Sequence, residues 1–124
     1  MQIDKELLER LFEQAKESPR LRMNYDLRTS SADTSQRMLN ALLPGTEVPI
    51  HRHESTSETV VWLGGRLEEL IYDEIPDGTF QEVSRNLLCP SEGLYGIQIP
   101  AGAWHTIRVL EPSVIFEAKD GAYK

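Results

Sequence analysis

The stretch GTEVPIHRHESTSETVVWLGG, residues 45–65, decides how the rest of the chain is interpreted. It holds two of the three histidines, His51 and His53, separated by one arginine, and Glu58 follows after a short polar spacer. In a β-strand, residues two apart point to the same face with Cα atoms about 6.5 to 7 Å apart, so both imidazoles are expected to aim in one direction. The polar turn ESTS then reverses the chain and returns Glu58 beside them.

The third histidine, His105, follows the tight-turn sequence IPAGAW and begins a strand that a closed barrel would bring opposite the first hairpin. A single histidine in a strand is usually a satisfied polar residue, and one HxH pair is a weak metal signal. The three histidines and Glu58 together suit one divalent transition metal, Fe, Mn, Co, Ni, Cu or Zn, with one or two coordination positions left open. The predicted ligands are His51, His53, Glu58 and His105.

Short apolar segments separated by the turn sequences LPGTE, GGR, IPDG, CPSEG, PAG and LEPS predict an all-β jelly roll over residues 36–119. The spacing predicts eight strands: Gln36 to Leu43, Val48 to Arg52, Glu58 to Leu63, Leu67 to Tyr72, Phe80 to Leu87, Tyr95 to Ile99, Trp104 to Leu110 and Val114 to Lys119.

Residues 1–19 predict an N-terminal amphipathic helix with Asp4 as its N-cap and SPR, from Ser18 to Arg20, as its end. The segment RTSSADTSQ that follows is interpreted as a polar loop. The apolar face of the helix is expected to cover a sheet or a partner subunit. Helix and barrel together account for a single domain, residues 1–124. The apolar face consists of Ile3, Leu7, Leu8, Leu11, Phe12 and Ala15.

Composition excludes several classes of function. Acidic residues outnumber basic ones 20 to 13, the net charge is -7 and the basic residues are scattered, so nucleic acid is not an expected partner. No apolar run is long enough for a membrane span or a signal-peptide core, and we expect a cytoplasmic protein that does not associate with membranes.

A small barrel tends to cover exposed strand edges by pairing, so we expect a homodimer.

The residues around the four predicted metal ligands resemble the two sequence motifs of the cupin superfamily. The second cupin motif is met by Pro100, Gly102 and His105, although Gly93 lies one residue too far upstream and Val109 replaces the final asparagine. The resemblance implies a cupin double-stranded β-helix. The first cupin motif, a glycine, five residues, His-x-His, three or four residues, Glu, six residues and a glycine, is met in full by Gly45, His51, His53, Glu58 and Gly65.

A likeness that covers more of the chain is to the small WbuC-type cupin-fold metalloproteins, through SPRLRMNYDL, SQRMLNALLPGT, HRHESTSETVVWLGGRL and YGIQIPAGAWHTIRVLEPSVIFEAKDGAY. This resemblance implies bacterial O-antigen or polysaccharide metabolism. Polar motifs of that family are resembled by Arg20, Arg22, Asn24, Arg37 and Asn40. These residues are candidates for binding an anionic, hydroxylated or sugar-like ligand near the barrel mouth, with surface salt bridges as the equal alternative. Tyr95 is a further candidate, for a hydrogen bond to a metal-bound ligand.

The function that we expect is a small metalloenzyme whose metal polarises a carbonyl or hydroxyl of a sugar-like or carboxylate-bearing small molecule, or activates bound water or dioxygen. The resemblance to the WbuC-type proteins implies a reaction of the isomerase or epimerase type. A metal-dependent oxygenase is the alternative among enzymes, and a non-catalytic binding module is the alternative outside them. The sequence identifies no catalytic acid or base. Glu68 and Glu69 are adjacent in a predicted strand, cannot share a face, and are interpreted as solvated charges.

Overall fold

The structure is a computed structural model that describes residues 1–121. None of the helices in that part of the chain is long and apolar enough to cross a membrane. All the strand pairs are antiparallel. In chain order the elements are α1 (Lys5–Glu17), β1 (Arg22–Asp26), β2 (Ser35–Leu42), β3 (Glu58–Glu74), β4 (Phe80–Leu88), a 3₁₀-helix (Pro90–Glu92), β5 (Gly96–Ile99) and β6 (Trp104–Asp120).

Two long strands, β3 and β6, pair along most of their length and belong to both layers of the jelly roll. The first half of β3 pairs with β5 and with the end of β6, and that end of β6 pairs with β2, which pairs in turn with β1. The second half of β3 pairs with β4 and with the start of β6. The predicted all-β cupin fold with an N-terminal helix is therefore confirmed.

The register between β3 and β6 slips at 64–66 of β3, opposite 111–114 of β6. Gly65 has a positive φ of 97° there, and a Cβ at this position would collide with the carbonyl oxygen of Pro112. The backbone N–H of Arg66 donates to Oγ of Ser113 across the irregularity, at 3.0 Å. Bulges of this kind bend a strand, so GGR and LEPS, predicted as chain reversals, form facing bends instead. The four strands predicted on either side of these two segments are therefore two long strands, β3 and β6.

A first apolar core lies between the two layers. Trp62, Val60 and Ile115 come from one layer, and Leu67 and Val109 come from the other. The eight buried residues of this core are Leu42, Val60, Trp62, Leu67, Leu88, Ile99, Val109 and Ile115. None of the predicted metal ligands belongs to this cluster, so the layers pack on each other through apolar contacts.

A second apolar core lies outside the sheet, where α1 covers β1 and β2. Asp4 caps the helix as predicted, because its side chain accepts from the backbone N–H of Leu7 at 2.9 Å. Strand β2 is buried on both faces: its outer residues contact the helix, and its inner residues face the space between the layers. The buried members of this second core are Leu7, Leu11, Ala15, Leu39, Ala41 and Leu43.

Two strand predictions were wrong. Residues 48–52 form no strand, since Pro49 has no N–H to donate, and only His51 makes an isolated bridge, to His105. Strand β1 was missed because RMNYD was interpreted through its polar residues. Its alternation was nevertheless visible, with Met23 and Tyr25 packed on the helix side of the sheet.

We expect Leu11→Ala to lower the free energy of unfolding by about 2 to 5 kcal/mol, because Leu11 is almost fully buried in the second core and truncation leaves a cavity. Urea denaturation followed by circular dichroism would measure the change. Glu9→Ala, at an exposed position of the same helix, is the matched control and should change stability little. A loss for Leu11→Ala no larger than that for the control would contradict the packing of α1 on the sheet.

Candidate metal centre

A cavity of about 680 Å³ opens between the two layers. Its walls come from β1, β2, β3 and β6 and from the loop before β3. The three histidines line it together with acidic, amide and basic side chains and with apolar ones such as Met38, Val48 and Ile115. Such a mixture is typical of a ligand site.

His51, His53 and His105 converge in this cavity. One ring nitrogen from each lies within 4.8 Å of the others. The ring centroids of His51 and His105 are 4.3 Å apart, and that of His53 lies 5.5 Å from His51 and 5.8 Å from His105. Three imidazole nitrogens at this spacing could hold one metal ion at the usual distance of about 2.0 to 2.1 Å after small side-chain movements.

Backbone hydrogen bonds fix the segment that carries the first two histidines. The backbone N–H of His51 donates to the carbonyl of His105 at 3.0 Å, and the N–H of His105 donates back at 2.8 Å. The N–H of Gly102, in the PAG turn, donates to the carbonyl of His53 at 2.7 Å. Two chain segments that are distant in sequence are thus joined at the point where their side chains meet.

The orientation of two of the imidazoles suits metal binding. Nδ1 of His51 lies 2.8 Å from the carbonyl oxygen of Pro49, and Nδ1 of His105 lies 2.9 Å from that of Ala103. A carbonyl oxygen can only accept, so each Nδ1 carries the proton and each Nε2 keeps its lone pair in the neutral ring. Outer hydrogen bonds of this type orient histidine ligands in metal sites.

Burial also favours the neutral imidazoles. It lowers the pKa of His53, with smaller contributions from Lys119 and His51 opposed by Glu58. It lowers the pKa of His105 as well, against the raising effect of the hydrogen bond to Ala103. A metal ion needs the unprotonated nitrogen, so both shifts favour binding.

Glu58 begins β3 and lies against the histidine cluster. It is 5% exposed, and its Oε2 is 2.8 Å from Nε2 of His53. The cluster of mutually close ligand atoms consists of the three histidine nitrogens, with this carboxylate in contact with one of them. The structure therefore brings all four predicted ligands together at one end of the cavity, and their role as ligands stays a prediction. Arg52, between the two histidines, stacks over Trp104 instead, 4.6 Å from the ring centroid.

Two further carboxyl groups line the same cavity. Burial, followed by the charges of Glu58 and Glu117, raises the pKa of Glu69 well above its usual value. Burial and the neighbouring carboxyl of Glu58, which is hydrogen-bonded to Glu117, raise the pKa of Glu117 to about 8. Glu117 therefore holds a proton near neutral pH in the protein without metal, and burial favours the protonated form of Glu69 as well.

The interpretation of Glu69 as a solvated charge was wrong, since only 2% of this residue is exposed. The alternation of β3 could have shown its position, because Leu67 and Ile71, two residues away on each side, point to the same face. Glu68 faces the other way and lies 3.7 Å from Arg85. Sequence reasoning also missed Glu117 and Gln36, which both line the cavity.

The predicted substrate residues divide into two groups. Four of them line the cavity, Arg20, Arg22, Asn24 and Asn40. Arg22 also donates to Oγ1 of Thr46 and to the carbonyl of Glu47. Arg37 lies outside the cavity lining, pairs with Asp33 at 2.7 Å and donates to the carbonyl of Ser35. Tyr95 also lies outside the lining and is 64% exposed. Within residues 1–121, the geometry supports a ligand contact for the first group.

Comparison with known proteins gives a family and a fold. Residues 3–84 match the family described as "Domain of unknown function (DUF6016)". No curated protein matches the chain.

Three solved structures share the fold. The protein TT1209 from Thermus thermophilus is 24% identical, with a TM-score of 0.65 and 98% of each chain covered. The cupin domain of Cnp3 from Schizosaccharomyces pombe is 12% identical, with a TM-score of 0.55, 81% of this chain and 64% of that one. YcfD, a ribosomal oxygenase from Escherichia coli, is 20% identical, with a TM-score of 0.57, and the match covers 72% of this chain but 23% of YcfD. At these identities the likeness shows the fold alone.

In the protein without metal, Glu117→Gln is expected to flatten the dependence of stability on pH. A carboxyl whose pKa rises on folding from 4.5 to about 8 stabilises the folded state fully below the lower value, and that contribution is lost as the pH rises through the higher one. Glutamine keeps an N–H for Glu58 but releases no proton. Urea denaturation at a series of pH values measures the difference.

Glu111→Gln, at an exposed position of β6, is the matched control and should leave the pH dependence as it is in the unchanged protein. Parallel pH profiles for Glu117→Gln and the unchanged protein would contradict a proton held at Glu117.

Proposed function

Because the chain belongs to the DUF6016 family, a domain of unknown function, its activity has to be inferred from its site, and we propose that it is a metal-binding cupin whose cavity takes a sugar-like or carboxylate-bearing small molecule. One observation carries the proposal. Three imidazoles, two of them oriented through Nδ1 by backbone carbonyls, converge at one end of an open cavity of about 680 Å³.

The position of the histidines supports a functional metal in preference to a structural one. His51 and His53 are only partly buried, and they face the cavity, whereas the apolar core between the layers lies elsewhere. Structural zinc sites are closed by four protein ligands, whereas a five- or six-coordinate metal held by the four predicted ligands would keep one or two positions for water or substrate. A ligand in this cavity would reach the metal directly.

The chemistry of the cavity supports an enzyme. A bound divalent metal would act as a Lewis acid toward a carbonyl or hydroxyl of the ligand. Isomerisation and epimerisation also need a group that moves a proton. Ile71 pairs with His105, and Glu69 lies two residues before Ile71 in β3, so the carboxyl of Glu69 is on the same face of the sheet as His105. Glu69 supplies the acid or base that the sequence did not identify. A binding module would need no such group.

Several finer expectations stay predictions. They are membership of the WbuC-type group, a role in bacterial polysaccharide metabolism, a cytoplasmic location and a homodimer. The oxygenase alternative also stays open, and turnover by the metal-loaded protein in the presence and absence of dioxygen would separate it from an isomerase.

We expect the purified protein, reloaded with Zn²⁺, Mn²⁺, Fe²⁺, Co²⁺, Ni²⁺ or Cu²⁺ in turn, to carry about one ion per chain with at least one of them. His53→Ala should reduce this occupancy strongly, because it removes a ligand from the cluster. Elemental analysis after dialysis is the measurement. Arg52→Gln, which changes the neighbouring side chain that stacks on Trp104, is the matched control and should keep the metal. Trace occupancy with every ion would overturn the proposal.

Metal removal is expected to leave the protein folded, since the eight residues of the first core include no predicted ligand. Thermal unfolding with a chelator should stay cooperative at a lower Tm. A random-coil circular dichroism spectrum after chelation would show instead that the metal is structural.

A further inference from the structure

Three side-chain amides form one wall of the cavity, on the inner face of β1 and β2. Asn24 is paired with Asn40 in the register of these strands, and Gln36 lies four residues before Asn40 on the same face of β2. All three line the cavity. We call Asn24, Gln36 and Asn40 the amide wall.

The side-chain oxygens of the amide wall are buried and have no hydrogen-bond partner among the described residues. Gln36 is the clearest case, because only 4% of the whole residue is exposed. Buried polar groups in proteins are nearly always paired, and an unpaired one destabilises the fold. Three unpaired oxygens along one wall of one cavity point to a partner that comes from outside the chain.

An amide oxygen only accepts hydrogen bonds, so that partner must donate several of them. Five acidic and four basic side chains line the cavity, so neither sign of charge dominates its surface. Hydroxyl groups fit this surface, because they donate to the amide and carboxyl oxygens and accept from the arginines.

We propose that Asn24, Gln36 and Asn40 bind the hydroxyl groups of a neutral polyhydroxylated ligand, a sugar or a sugar alcohol, in the cavity that the histidines share. The inference rests on the proposed function, because it chooses between the two ligand classes given there. It also assigns ligand recognition to β1 and β2, on a different part of the cavity wall from the predicted metal ligands.

A first experiment needs no ligand. Gln36→Met and Asn40→Leu replace unpaired amides by apolar side chains of similar size, and each should raise the Tm of the protein by about 3 °C or more, because an unsatisfied buried group is removed. Asn86→Leu is the matched control. The side chain of Asn86 donates to the carbonyl of Glu69 and to Ser84, both at 3.3 Å, and its loss should lower the Tm. A lower Tm for both wall variants would overturn the inference, since the amides would then be structural.

A second experiment measures binding. The metal-loaded full chain is titrated by ligand-observed NMR with D-glucose, D-galactose, D-mannose, L-rhamnose, myo-inositol and D-glucitol, and with citrate and inorganic phosphate as anionic probes. At least one neutral probe should bind more tightly than either anion. Gln36→Met and Asn40→Leu should each weaken this binding about tenfold, as expected for a lost hydrogen bond, and Asn86→Leu should leave it unchanged.

Metal analysis of the same samples separates the two proposals. Full occupancy without binding of any neutral probe, or with tighter binding of citrate or phosphate, would overturn the inference and leave the metal-binding cupin standing. Sugar binding that is equal in the wall variants and the unchanged protein would also overturn it. Absence of metal under every loading condition would overturn the proposed function itself, whatever the sugars do.

Discussion

The pairing of β3 with β6 is the constraint on which the rest of the structure depends. Every other strand attaches to one of these two or, in the case of β1, to β2, which attaches to β6. The two strands can serve both layers only because they bend together, and the bend needs a residue at 65 with a positive φ and no Cβ, since Pro112 and Ser113 lie where a side chain would begin. A glycine at this position is therefore a steric requirement of the fold.

The same pairing determines where the chemistry lies. Glu58 and Glu69 come from β3, and His105 and Glu117 come from β6, all on the face that looks between the layers. His51 joins them through its backbone bridge to His105, and His53 follows it. Apolar residues such as Trp62 and Leu67 lie on each side of the bend, and the titratable residues lie farther along the two strands. The burial that raises the pKa of both extra carboxyls and lowers that of two histidines is a consequence of this arrangement.

Features that depend on residues close together in the chain could be predicted from the sequence. The cap at Asp4 and the helix face are two such features, and the structure has the helix where the sequence placed it. The three histidines converge although His51 lies in no strand, because a backbone bridge joins His51 to His105. Bends and reversals could not be told apart, because Gly and Pro favour both. The position of Arg37 depends on which face of β2 looks inward, and that is decided by the partner strand. Arg37 consequently pairs with Asp33, while Asn40, three residues later, looks into the cavity.

Strand β2 links the stability of the fold to the chemistry of the cavity. Leu39 and Ala41 on its outer face are fully buried under α1, and Gln36 and Asn40 on its inner face belong to the amide wall. Side chains alternate along a strand, so any slip of one residue would turn the amides into the apolar core and the leucine into the cavity. The helix therefore does more than cover the sheet. By holding the outer face of β2 in register, its contacts with Leu39 and Ala41 also fix the positions of the unpaired oxygens on the inner face.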